Sequence, residues 1–145
     1  MSKPDESQRT LLHHVLSRLP PQVTSKQIGN MVKVLVSFDA DINFRDKNGE
    51  TPLHVGVQFA PLTYLLVYIR EICATVSEKN NEGVTPLHYF CQRVVKEDDE
   101  EEDVDVSLYP FIFRELLRGG VNVNTRTLKG FFLSSLEYLL FLLII

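Results

Sequence analysis

The hexapeptide Gly49-Glu50-Thr51-Pro52-Leu53-His54 returns with one residue changed as Gly83-Val84-Thr85-Pro86-Leu87-His88, 34 positions further on. A period of that length constrains the fold more than any composition figure, because each copy is one supersecondary unit that cannot bury its apolar face alone. Neighbouring units must stack. The motif residues also say where helices begin. Thr51 and Thr85 hold the N-cap place, and Pro52 and Pro86 follow at the first helical position, where a missing N–H costs nothing and the fixed φ suits a helix. Gly49 and Gly83 close the turn-forming runs Asp46-Lys47-Asn48-Gly49 and Asn80-Asn81-Glu82-Gly83. Leu53 and Leu87 then open apolar faces that only a stacked neighbour can cover.

A weaker copy lies upstream, where residues 5–13 keep Asp5, Thr10, Leu12 and His13 but lack the Gly and Pro, as suits an atypical capping unit at the end of an array. The second half of each unit recurs too, as an apolar helix and then an exit: 31–36 into Ala40-Asp41-Ile42-Asn43, 64–69 into Ala74-Thr75-Val76-Ser77, and 113–117 into Gly119-Gly120-Val121-Asn122-Val123-Asn124. These motifs resemble the ankyrin-repeat family over roughly residues 5 to 130. The resemblance implies an all-α ankyrin-repeat solenoid of helix-turn-helix units joined by short β-hairpin loops. It implies about three repeats, near 5–43, 46–77 and 80–124, in a single domain 1–145 with an atypical apolar C-terminal helix in 127–145. It also makes Thr10, His13, Gly49, Thr51, Pro52, Leu53, His54, Gly83, Thr85, Pro86, Leu87 and His88 structural, with the histidine rings bracing neighbouring turns.

The spacing is uneven. From motif threonine to exit the interval is 23 residues for Thr51 to Ala74, but 30 for Thr10 to Ala40 and 36 for Thr85 to Val121. The first and third units therefore carry insertions, one near Leu19-Pro20-Pro21, where adjacent prolines break a helix, and one an acidic loop over 96–106. Loosely spaced repeats of this kind further resemble the poxvirus ankyrin proteins, although no F-box-like segment is visible.

Composition limits the function. With 44% apolar residues the chain can bury a sizeable core, and a formal charge of −4 supplies no overall basic field for nucleic acid. Eight of the carboxylates fall in the run Glu97 to Asp105, which reads as a solvated loop or as a lure for a basic partner. Cys73 and Cys91 form neither a CxxC pair nor a disulfide framework, and the polar N-terminus has no apolar leader, so an intracellular site, cytoplasmic or nuclear, is expected. Three of the four histidines occupy the motif place and His14 stands alone, so no metal site is expected. No phosphate loop or nucleophile motif is present, and neither an enzyme activity nor a cofactor is expected. Phe131 to Ile145, at 15 residues, is too short for a membrane helix, which needs about 20, but it is apolar enough to favour self-association or an interfacial role.

By resemblance the function is that of a protein-protein interaction module, an adaptor, scaffold or inhibitor. The partner would meet the hairpin tips, at Arg45, Lys47, Asn48, Glu50, Asn81, Glu82 and Val84, and the concave first-helix surface, at Gln58, Phe59, Gln92 and Arg93. Phe59 is the expected anchor, since aromatic residues dominate interface energetics. The alternatives are a membrane-associated ankyrin protein using its apolar C-terminal segment, and a viral ankyrin protein directed at a host factor.

Overall fold

The structure, a computed structural model, describes residues 3–18, 22–72, 74–97 and 106–120. The described residues are all-helical outside turns: α1 (Leu11–Ser17), α2 (Ser25–Ser37), α3 (Pro52–Phe59), α4 (Leu62–Ile72), α5 (Pro86–Glu97), one 3-10 turn (Val106–Leu108) and α6 (Tyr109–Arg118). The helix starts follow the local chemistry. Thr10 and Thr51 are the N-caps of α1 and α3, in extended backbone, and Thr24 caps α2 with Gln27 in a reciprocal pair, Thr24 N–H to Gln27 Oε1 at 2.9 Å and Gln27 N–H to Thr24 Oγ1 at 3.3 Å. Helix α3 stops at Ala60, which takes an extended ψ of 149° because Pro61 follows it.

Helices α1, α3 and α5 stack on one another as one layer, and α2, α4 and α6 as the other. This two-layer solenoid is what stacked helical hairpins produce. Its core lies between the layers, where Leu12, Leu16, Ile28, Val32, Leu53, Val57, Leu65, Leu87, Phe90, Ile112 and Leu116 are buried. Tyr64 and Tyr68, also buried, pack ring on ring at 6.0 Å, and neither hydroxyl meets a hydrogen-bond partner.

The connecting tips are turns, with no strand among the described residues, in place of the expected β-hairpins. One aspartate or asparagine organises each. Asp46 Oδ1 accepts the N–H groups of Asn48 and Glu50 at 2.8 and 2.9 Å, and Asn80 Oδ1 accepts those of Glu82 and Val84, both at 2.9 Å. Asp5 does the same for Ser7 and Arg9 at 2.9 and 2.8 Å, so the degenerate first motif keeps the turn despite its lost glycine. Successive tips are then tied together, Lys47 N–H to Ser7 O and Asn81 N–H to Asn48 O, each at 3.0 Å.

The fourth place of the turn needs left-handed backbone. Gly49 and Gly83 supply it at φ 74° and 75°, and Gln8 is forced into it at φ 58°. A side chain there costs about 1 kcal/mol or more, so Gln8→Gly is expected to raise stability by about that amount in urea melts. A lower midpoint would show that the first turn relaxes in some other way.

The first insertion joins α1 to α2 through residues 18–24, and its prolines Pro20 and Pro21 lie outside the described residues. The acidic insertion begins later than its sequence suggests, since α5 runs through Glu97 and so takes in Lys96, while Val106 already belongs to the 3-10 turn. Of the carboxylate run only Glu97 is described, as the last residue of α5, a helix that buries Phe90, Cys91 and Val94. Residues 98–105, Cys73, the exit at 121–124 and the segment Phe131 to Ile145 lie outside the described residues.

Candidate protein-interaction surface

Each motif histidine works as an internal brace. In all three units the threonine N–H donates to the histidine Nδ1 at 3.1 Å, with the threonine hydroxyl within 2.8–2.9 Å of the same nitrogen. An accepting Nδ1 fixes the proton on Nε2. That Nε2–H then donates to the next unit, from His13 to the Glu50 carbonyl at 2.9 Å and from His54 to the Val84 carbonyl at 3.0 Å. Burial holds both rings neutral, pushing His54 down to about 4 and His13 in the same direction. Among the described residues no group of three or more His, Cys, Asp or Glu could hold a metal ion. Cys91 is buried, and burial pushes its thiol up to about 12.

A polar network threads the same side of the molecule. Arg9 reaches Asp46 at 3.0 Å and Glu50 at 3.4 Å, and the Tyr89 hydroxyl donates to Glu50 Oε1 at 2.7 Å while accepting from Asn80 Nδ2 at 3.1 Å. Burial, with Glu50 alongside, raises the Tyr89 hydroxyl well above its usual range. Two of the residues read from the sequence as tip residues thus face inward. Glu50 is engaged by Arg9 and Tyr89, and Val84 is only 8% exposed. Arg93 is half-buried, its Nη1 donating to the Ala60 carbonyl at 2.7 Å, so it finishes the C-terminal end of α3.

The remaining candidates reach solvent. Lys47, Asn48, Asn81 and Glu82 are exposed, and the last three help line a polar cleft with Glu50, Asn80 and Tyr89 between successive tips. Arg45 is exposed and pairs with Glu78 at 3.1 Å. On the first helices Gln92 is exposed, Gln58 is half-buried and donates to the His54 carbonyl at 2.9 Å, and Phe59 is 60% exposed at the end of α3. Sequence reasoning did not single out Arg9 or Tyr89. The recurrence of Asp5, Asp46 and Asn80, each five places before its threonine, was the available signal for the turns.

No family model matches the chain. It is similar to a probable serine/threonine-protein kinase of Dictyostelium discoideum, 32% identical over 90 residues, which are 62% of this chain and 9% of that protein. It is similar to transient receptor potential cation channel subfamily A member 1 of Homo sapiens, 31% identical over 74 residues, 48% of this chain and 7% of the channel. An ankyrin repeat protein of variola virus is 27% identical over 124 residues, 83% of this chain and 19% of the viral protein. The chain spans less than a fifth of the length of each of these relatives. The repeated turn, cap and histidine brace and the two stacked helical layers agree with the likeness to the variola virus protein: the chain is an all-helical repeat array that is similar to ankyrin repeat proteins, a poxvirus member among them.

Proposed function

We propose that this chain is a non-catalytic adaptor, scaffold or inhibitor that holds a protein partner across its turn tips and first-helix ends. The observation that carries the reading is Phe59, a large aromatic ring left 60% exposed at the end of α3, with Gln58 before it, the exposed Gln92 on α5, and the polar tips Arg45, Lys47, Asn48, Asn81 and Glu82 on the same array. An exposed aromatic anchor with a polar surround is the usual anatomy of a binding hot spot. An intracellular site is part of the proposal, as the cysteines suggested. Among the described residues no helix is long and apolar enough to cross a membrane.

The test is capture of partners from lysate by wild type and by Phe59→Ala, followed by affinity measurement on whatever wild type retains. Phe59→Ala is expected to weaken binding about tenfold or more while leaving the melting transition in place. An unchanged set of captured proteins, bound equally well, would remove the surface from consideration. A second reading, a viral ankyrin protein directed at a host factor, is favoured by the breadth of the variola match, 83% of this chain. Capture from infected and uninfected host lysate separates the two.

A further inference from the structure

Helix α3 ends on a gap in its own hydrogen bonding. The Val57 carbonyl would ordinarily accept the N–H of the residue four places on, but that residue is Pro61, which has none. The gap is closed from another unit. Arg93, on α5, donates Nη1 to the Ala60 carbonyl at 2.7 Å, with the Val57 carbonyl a longer second acceptor at 3.4 Å. One guanidinium nitrogen thus ties together the two carbonyls that bracket Phe59. A cation bound to carbonyls at a helix C-terminus gains from the helix dipole as well as from the charge on the donor. The side chains on both sides of the ring are sunk in the core, since Val57 and Ala60 are 0% exposed where Phe59 is 60% exposed. Gln58 does not share the task, because its amide donates back to the His54 carbonyl, one turn earlier, at 2.9 Å.

We propose that Arg93 is the positioning residue of the Phe59 anchor, holding the end of α3 at the angle from which the ring meets a partner. Arg93 has this role on the reading of Phe59 as the anchor, and it acts through the helix end without needing to touch the partner itself. The anchor then belongs to two units. Its ring comes from the second and its fastening from the third, so a partner that favours the fastened ring must tighten the Arg93 contact to the same degree as that contact favours binding.

The chain has no tryptophan, so Phe59→Trp places a single reporter at the anchor. Phe38→Trp places a matched reporter at the end of α2, where the native ring is 75% exposed. Arg93→Met keeps the aliphatic stem and removes the donors. On the full chain it is expected to lower the fluorescence anisotropy of the tryptophan at position 59 and leave that at position 38 unchanged. It is also expected to speed hydrogen exchange of the Ala60 N–H, which donates to the Gly56 carbonyl at 2.8 Å, by about tenfold or more. The His14 N–H, which donates to the Thr10 carbonyl at 3.2 Å, should stay within about twofold of its wild-type rate. Arg93→Lys, which retains a charged donor, should restore part of the protection at Ala60; if the methionine variant does not fold, the lysine variant should show a smaller loss confined to the same two sites. Changes of equal size at both reporters, or an Ala60 amide and a position-59 tryptophan that do not respond, overturn the proposal. No partner enters these measurements, so their failure is distinct from an unchanged capture by Phe59→Ala, which strikes the interaction reading instead.

Discussion

Acidifying the protein from pH 7 to about pH 4 is expected to remove about 3 kcal/mol of folding stability through His54 alone. The native ring is held near 4 by burial, against 6.5 for a free imidazole. Between those values the unfolded chain binds a proton that the native state does not. The contribution is therefore fully present above about pH 6.5, falls as pH drops toward 4, and is constant below that. Protonation also converts Nδ1 into a donor facing the Thr51 N–H it must accept, so the cap is lost with the charge change. His13 adds to the loss in the same direction. Urea melts at pH 7, 5.5 and 4 on wild type and on His54→Gln separate the ring from the carboxylates. The same pH slope in both chains would mean that the ring is not the titrating group.

Gly49→Ala is expected to cost about 3 kcal/mol. Left-handed backbone at φ 74° penalises any side chain, and an added Cβ would also lie 2.9 Å from the Asn81 backbone nitrogen, which bonds the neighbouring tip. The alanine must push two turns apart. Gly29→Ala is the control of opposite sign, since that glycine lies inside α2 with nothing within 4 Å of the new methyl, and alanine there should stabilise by about 1 kcal/mol. Equal melting midpoints for the two variants would show that the tip is not in close contact with its neighbour.

Helix starts and the stacking architecture were legible because their causes are local. Thr51 followed by Pro52 announces a cap within two residues, and a 34-residue period requires stacking whatever lies between the motifs. Partners distant in the chain were not legible. His54 meets a carbonyl 30 residues away, and Glu50 is drawn inward by Arg9 and Tyr89, 41 and 39 residues away, where a glutamate on a turn reads as solvated. Arg93 read as a surface cation for the same reason, its acceptor being the end of another helix. Exposure of Met31 and Val34 was hidden as well, because apolar residues at helical spacing read as core.

The Arg93 contact also gives assembly of the array a direction in time. The carbonyl at the end of α3 is satisfied by a side chain 33 residues downstream, and the rings of His13 and His54 likewise find their acceptors 37 and 30 residues downstream. A chain emerging from the ribosome N-terminus first therefore exposes the Ala60 carbonyl and the rings of His13 and His54 before their partners exist. The first two units thus stay provisional until the one after each leaves the exit tunnel, and this part of the nascent chain matures one step behind its own synthesis.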